Sequence, residues 1–126
     1  RYLCEAEQRT AGGKTLTLIL ALNYSSRSEI TRAVQRIAAR VAAGELAPGE
    51  ISEGTVSASL DTAPYPNPDL VVRTSGECRL SNFLLWQASY AELYFPEVLW
   101  PDFTEEGFDR AIEEYASRDR RFGLVK

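Results

Sequence analysis

The sequence predicts an α/β fold in which a partly parallel central sheet is flanked by helices. Residues 16–22 are almost continuously apolar, as expected of a strand that is covered on both faces, and residues 69–73 contain the short apolar run of a second buried strand. A segment with helical periodicity and a second, shorter helix pattern lie between them. This strand–helix–helix–strand order is typical of a right-handed crossover, and ligands of such sheets bind beyond the carboxyl ends of the strands.

The first strand is predicted at residues 16–22, which read LTLILAL. The strand ends at Asn23, so this side chain is expected at the carboxyl edge of the sheet. The apolar run is too short to cross a bilayer, and a soluble protein is therefore expected.

The first helix is predicted from Ser26 to Gly44. Ser26 and Glu29 have the spacing of a capping box, and Gly44 is a common helix terminator. Apolar residues recur between them at helical spacing: Ile30, Ala33, Val34, Ile37 and Val41. Pro48 and Gly49 then predict a turn, and a short helix is expected to begin at Ser52.

The second strand is predicted at residues 69–73, after prolines at positions 64, 66 and 68 that exclude a helix. Residues 74–77 predict a tight turn, and a helix is predicted from Asn82 onward. The free N–H groups of this helix would face whatever the turn holds.

The last elements are a strand and a helix. Residues 93–95 predict the strand, and Thr104 is expected to cap the helix. Apolar residues lie on one face of that helix: Phe108, Ala111, Ile112 and Tyr115. The segment 118–123 is basic.

Composition indicates a single globular domain of 126 residues, with 44 % hydrophobic and 25 % charged residues. The net charge of −4 argues against a nucleic-acid partner. Because the chain starts at Arg1 and contains no Met, it is expected to be a piece of a longer protein. Cys4 and Cys78 are far apart and lack metal-ligand spacing, which favours free thiols in a reduced compartment.

An anion site is predicted where the second strand ends. Arg73, Arg79 and Ser81 offer two planar guanidinium groups and a hydroxyl, which suit the oxygens of a diphosphate. On position alone, a solvated strand end is an equal alternative for Arg73. Ser81 could also be a helix N-cap, a role compatible with ligand binding.

Two further charged positions have alternative interpretations. Glu92 lies among apolar neighbours, so its carboxylate is either paired to a basic residue or holds a divalent ion, and pairing is favoured. Arg120 and Arg121 are first expected to be a solvated helix end and only secondarily an anion contact.

Several motifs closely resemble the cis-prenyltransferases, the family of undecaprenyl and dehydrodolichyl diphosphate synthases: DLVVRTSGE, RLSNFLLWQ, YAELYF and LWPDF. A weaker resemblance continues through LALNYSSRSEI upstream and RRFG downstream, so nearly the whole chain matches in order. The resemblance implies that residues 1–126 are the carboxyl-terminal part of one cis-prenyltransferase domain whose amino-terminal part is absent.

The implied activity is the condensation of isopentenyl diphosphate with an allylic diphosphate, such as farnesyl or geranyl diphosphate, to a Z-polyprenyl diphosphate with Mg²⁺. The catalytic aspartate of the family is expected in the absent part, so this piece alone is expected to be inactive.

The resemblance also implies residue roles. Arg73, Arg79 and Ser81 would hold the diphosphate of isopentenyl diphosphate, and Glu92 would help to place Mg²⁺. The other implied substrate-binding positions are Asn23, beside the active site, and Arg121 and Gly123, which would reach the substrate of a partner subunit.

A homodimer, or a heterodimer with a homologue, is therefore expected. A cytoplasmic location is expected, while a plastid location and association of the lipid product with a membrane surface stay open. Departures from the family pattern occur at Ser25 and Ser26, where glycines are typical, and at Cys78.

The sequence bears on two alternative functions. A non-catalytic partner subunit would not need the set formed by Arg73, Arg79 and Ser81, so an enzyme is favoured. A generic nucleotide-binding module lacks support, because the sequence has neither a P-loop nor a dinucleotide-binding glycine motif.

Overall fold

The computed structural model describes residues 2–119. The elements in chain order are helices α1 (Tyr2–Thr10), α2 (Ser26–Ala42) and α3 (Glu53–Ser57), strands β1 (Leu70–Val72) and β2 (Glu92–Tyr94), and helix α4 (Glu105–Ser117). Short 3-10 turns occur at Pro48–Glu50 and Trp100–Asp102. The α/β class is confirmed, and none of the described helices is both long and apolar enough to cross a membrane.

The two strands form a parallel pair. Within the described residues the predicted crossover between 16–22 and 69–73 is not formed, and β1 pairs instead with the strand predicted at 93–95. Leu70 lies opposite Glu92 and Val72 lies opposite Tyr94. The pair is extended by one hydrogen bond beyond each end of β1. The Arg73 amide donates to the Tyr94 carbonyl at 2.9 Å, and the Glu92 amide donates to the Asp69 carbonyl at 2.9 Å.

Helix α2 begins one residue earlier than a capping box at Ser26 requires. Its N-cap is Ser25, whose side chain accepts from the Ser28 amide. Glu29 does not reach back to the cap because its carboxylate turns into the core, where the residue is fully buried. The predicted stop is confirmed, since the helix ends at Ala42 and Gly44 adopts a left-handed φ of 74°.

The predicted caps of the shorter helices are confirmed. Ser52 caps α3 by accepting from the Thr55 amide, and Thr104 caps α4 by accepting from the Gly107 amide. In α4 only Gly107 and Ala111 are buried among the described residues. The predicted apolar face is therefore only partly covered.

The predicted strand at residues 16–22 is wrong. These residues form no regular structure, and all of them are exposed, with Leu16 at 84 %. A strand needs the backbone groups of a neighbour, and within the described residues β1 and β2 pair only with each other. Helix α1, which the sequence pattern did not predict, precedes this segment and buries none of its residues.

The predicted helix from Asn82 onward is also wrong. Residues 81–90 form a series of turns. Ser81, Asn82 and Leu84 have left-handed φ values of 49°, 64° and 47°. A right-handed helix cannot include such residues, and residues 81–90 therefore supply no helix N-terminus to the anion site.

A buried polar centre joins α2 to the turn segment. The Glu29 carboxylate accepts hydrogen bonds from the Tyr24 hydroxyl at 2.6 Å, the Gln87 amide at 2.9 Å and the Asp61 backbone amide at 3.0 Å. Burial and the hydrogen bond to Glu29 raise the pKa of Tyr24. Because a buried carboxylate is costly unless it is satisfied, this network specifies how the segment containing Gln87 packs on α2.

Candidate anion-binding site

Arg73 lies at the centre of the candidate site, immediately after β1. Its Nη1 donates to the Ser81 hydroxyl at 2.8 Å and to the Arg79 carbonyl at 2.6 Å. Its Nη2 donates to Glu77 Oε2 at 2.9 Å. Arg73 is therefore not a freely solvated strand end, because its guanidinium fork is held from two sides.

Glu77 bridges the two arginines. Its Oε2 accepts from Arg73 and also forms an ion pair with the Arg79 guanidinium. A carboxylate of the protein therefore stands between two guanidinium groups, in the position that a bound anion would favour. We call the set of Arg73, Glu77, Arg79 and Ser81 the arginine clamp.

Glu77 is the functional candidate that sequence reasoning missed. Its position four residues after Arg73 and two before Arg79 was a usable signal, because an acidic residue between arginines is their nearest counter-ion. The side chains of Arg79 and Glu77 are 62 % and 38 % exposed. This exposure leaves the open side of the clamp accessible to a ligand.

The tight turn that carries Glu77 is confirmed and is fixed to the segment after β2. Ser75 and Gly76 adopt left-handed φ values of 77° and 65°. Their amides donate to the carbonyls of Val98 and Pro96, at 2.8 and 2.9 Å. Because both bonds involve backbone groups, the position of Glu77 depends little on which side chains the turn carries.

Ser81 is not a helix N-cap, since no helix follows it. Its hydroxyl instead accepts from Arg73. The next residue, Asn82, ties this part of the site to the start of α2. Its Oδ1 accepts from the Arg27 amide at 2.9 Å, and its Nδ2 donates to the Ser25 hydroxyl at 2.8 Å.

Asn23 lies two residues before Ser25 and has a left-handed φ of 53°, a conformation that asparagine tolerates. The turn it belongs to is therefore brought next to the segment that carries Ser81.

The two serines that stand where the family has glycines, Ser25 and Ser26, have structural roles that glycine could not fill. Ser25 caps α2, and the buried Ser26 hydroxyl accepts from the Leu85 amide at 2.9 Å.

An apolar cavity of about 300 Å³ adjoins the clamp. Its walls combine the apolar residues Val71, Leu80 and Phe83 with the two clamp arginines. The site thus offers cationic donors beside a hydrocarbon surface. Such a combination suits a ligand that carries an anionic group on an apolar body.

Glu92 is not part of the clamp. It opens β2 opposite Leu70, which places it about 10 Å along the strand direction from Arg73 at about 3.3 Å per residue. Its Oε2 accepts from Arg118 Nη1 at 2.8 Å. The hydrogen bonds from Arg118 to Glu92 and Glu114 raise the pKa of the Arg118 guanidinium.

No group of three acidic, cysteine or histidine side chains within residues 2–119 could hold a metal ion. Cys78 is exposed, and its thiol lies 3.7 Å from the Gly76 carbonyl. The predicted positions Arg121 and Gly123 lie outside the described residues.

Comparison with known proteins gives one family. Residues 1–123 match the prenyltransferase family model described as putative undecaprenyl diphosphate synthase. An isoprenyl transferase from Agrobacterium fabrum is 58 % identical over 96 % of this chain, which spans 49 % of that protein. An isoprenyl transferase from Geobacillus kaustophilus is 55 % identical over 99 % of this chain and 49 % of its own length.

Solved structures give the same result. Lavandulyl diphosphate synthase from Lavandula x intermedia, crystallised with dimethylallyl diphosphate, has a TM-score of 0.91 at 41 % identity and is matched over 52 % of its chain. A probable undecaprenyl diphosphate synthase from Campylobacter jejuni has a TM-score of 0.79 at 39 % identity, over 54 % of its chain. The chain therefore spans about half the length of the relatives it matches.

Proposed function

Because the chain belongs to the cis-prenyltransferase family of the undecaprenyl diphosphate synthase type, we propose that it forms the isopentenyl diphosphate side of such an enzyme. The complete protein condenses isopentenyl diphosphate with an allylic diphosphate, such as farnesyl or geranyl diphosphate, to a Z-polyprenyl diphosphate. The observation that carries this assignment is the arginine clamp, in which Arg73 already contacts Ser81 and both arginines face one carboxylate.

The diphosphate of isopentenyl diphosphate takes the place that Glu77 Oε2 occupies between the guanidinium groups. A diphosphate carries more negative charge and more acceptor oxygens than one carboxylate, so it competes effectively for these donors. The Ser81 hydroxyl then donates to a phosphate oxygen instead of only accepting from Arg73. The isopentenyl group extends along the apolar wall formed by Val71, Leu80 and Phe83.

The task of these residues in the reaction is binding and orientation. Condensation joins the allylic carbon to the isopentenyl double bond while diphosphate leaves the allylic carbon and a proton leaves the isopentenyl group. Holding one partner in a fixed pose converts a bimolecular encounter into an intramolecular step. The fixed guanidinium groups also add positive potential where the allylic leaving group gains negative charge.

Magnesium belongs to this proposal as a companion of the substrate. The family is generally magnesium-dependent, and Mg²⁺ is commonly held by one or two carboxylates together with phosphate oxygens and waters. Glu92 fits as one such ligand, because Arg118 engages Oε2 and the described residues make no hydrogen bond to Oε1. When bound, the ion neutralises charge on phosphate oxygens.

The dimer is likewise a proposal. Arg121 and Gly123 of one subunit reach the substrate of the other, in a homodimer or in a heterodimer with a homologue. Asn23 contributes to the rim of the site through the turn that Asn82 holds against α2.

Activity of the complete protein tests the proposal. Radiolabelled isopentenyl diphosphate is incubated with farnesyl or geranyl diphosphate and Mg²⁺, and the extracted lipid is sized. We expect a labelled polyprenyl product. If the protein alone gives no product but an added homologue restores product formation, the protein is a non-catalytic partner subunit.

A further inference from the structure

We propose that Arg118 is a positioning residue that holds the Glu92 carboxylate in a fixed orientation for the reaction. This inference rests on the proposed function, because it concerns the role of Glu92 beside the diphosphate. It adds a residue that lies outside the arginine clamp and that the sequence pattern did not single out.

The guanidinium of Arg118 joins two elements of the fold. Nη1 donates to Glu92 Oε2 at 2.8 Å and to the Leu93 carbonyl at 3.0 Å, both in β2. Nη2 donates to Glu114 Oε1 in α4 at 2.6 Å. One planar group therefore fixes the end of α4 against the start of β2.

The backbone of Arg118 is fixed as well. Helix α4 ends at Ser117, and Arg118 is the C-cap, with its amide donating to the Tyr115 carbonyl at 3.2 Å. A cation at this point also interacts favourably with the negative end of the helix dipole. The guanidinium thus contacts β2 from a backbone position that is itself fixed, and the Arg118 side chain is only 30 % exposed.

The consequence for Glu92 is that one carboxylate oxygen is fixed, while no hydrogen bond from residues 2–119 reaches the other oxygen, which can bind a ligand. The backbone of Glu92 is fixed by the bond to the Asp69 carbonyl, and its side chain by Arg118. Groups that orient a metal-binding carboxylate in this way commonly change metal affinity ten- to a hundredfold when they are removed. Nη1 binds Glu92 and the Leu93 carbonyl while Nη2 binds Glu114, and the single ammonium nitrogen of lysine lacks this planar fork.

A purely structural role is the competing explanation. Arg118 could serve only to anchor α4, through Glu114 and the helix end, without any effect on the chemistry at Glu92. The positioning role depends on the contact of Arg118 with Glu92, whereas the structural role depends on its contact with Glu114. Removing Glu114 disturbs only the anchor, whereas removing the guanidinium disturbs both.

The test measures Mn²⁺ binding to the complete protein by electron paramagnetic resonance in the presence of inorganic pyrophosphate. We expect Arg118→Ala to weaken Mn²⁺ binding roughly ten- to a hundredfold and Arg118→Lys to be intermediate. Glu114→Gln is the matched control, because it keeps the Glu92 contact, and it should bind Mn²⁺ as the unmodified protein does. Thermal unfolding checks that each variant is folded, and Arg118→Lys alone decides if Arg118→Ala does not fold.

Glu92→Gln separates this inference from the proposed function. Weaker Mn²⁺ binding in Glu92→Gln together with unchanged binding in both Arg118 variants would overturn the positioning role and leave the metal assignment intact. Unchanged binding in Glu92→Gln would show that the metal assignment itself is wrong, and the inference would fall with it.

Discussion

A cluster of Arg73, Arg79 and Ser81 and a strand at 16–22 were both predicted from local sequence patterns, yet only the cluster is formed, as part of the arginine clamp. The clamp residues all lie within the nine positions 73–81, and the contacts that join them form between residues of this short segment. Residues 16–22 have a strong strand pattern but remain exposed and irregular. Side-chain contacts between near neighbours need only a well-formed turn, whereas a strand needs a second strand that can be far away in sequence.

The largest expected effect concerns the apolar segment. If residues 16–22 lack regular structure only because no second strand pairs with them, their amides should exchange freely in the 126-residue chain. In the complete protein the same amides should be protected from exchange by more than roughly 1,000-fold. Hydrogen exchange read by mass spectrometry measures this change. The amides of β1 and β2 are the internal control, since their pairing is already made in this chain. Free exchange of 16–22 in both proteins would refute the explanation.

A smaller effect is expected at the clamp. Replacing Arg73 by Ala removes the donors to Glu77 and Ser81 and leaves a bound diphosphate without its central cation. We expect the KM for isopentenyl diphosphate to rise roughly a hundredfold, as for the loss of about two hydrogen bonds to a charged group. Steady-state kinetics of the complete protein measure it. Arg40→Ala is the matched control, because Arg40 pairs only loosely with Glu45, at 4.0 Å. Equal KM values for the two variants would remove Arg73 from the site.

The attachment of the clamp segment to α2 should also be measurable. Glu29→Gln keeps the size of the side chain but replaces an acceptor oxygen by an amide donor that faces the donors of Tyr24 and Gln87. We expect a loss of about 2–3 kcal/mol in the free energy of unfolding, as for buried hydrogen bonds to a charged group. Urea denaturation measures this loss. The exposed Glu113→Gln is the control, and an equal stability for both variants would mean that the buried network does not fix the segment.

The smallest effect is electrostatic and lies on the outer face of α2. Hydrogen bonds from Arg32 and then Arg36 lower the pKa of Asp61. A lowered folded-state pKa stabilises the fold above the ordinary aspartate pKa of about 4, and this stabilisation is lost as the pH falls through the folded-state value. Because all three side chains are more than one-third exposed, we expect about 1 kcal/mol or less.

Thermal unfolding of the unmodified protein and of Asp61→Asn between neutral and acidic pH measures that contribution. The two proteins should differ at neutral pH and converge in acid. Melting temperatures that stay equally far apart across this range would exclude Asp61 as the source of the pH dependence.

The correct predictions share a physical basis. The caps at Ser52 and Thr104 and the stop at Gly44 were predictable because each depends on bonds within a few residues. The clustering of Arg73 and Ser81 followed from their positions on either side of one turn.

The failed predictions share a different basis. A helix was predicted from Asn82 onward, but Asn82 and the buried centre at Glu29 hold the segment against α2 through left-handed turns. Such contacts join residues more than fifty positions apart. The role of Glu29 as a buried acceptor, rather than a capping residue, was hidden for the same reason.

A structure of the complete protein with isopentenyl diphosphate tests the central claim most directly. The distances to measure are those from the phosphate oxygens to the guanidinium groups of Arg73 and Arg79 and to the Ser81 hydroxyl. We predict that the diphosphate lies within hydrogen-bond distance of all three groups, about 2.7–3.0 Å, with Glu77 displaced from at least one arginine. A diphosphate bound elsewhere, with Glu77 still bridging Arg73 and Arg79, would contradict the account.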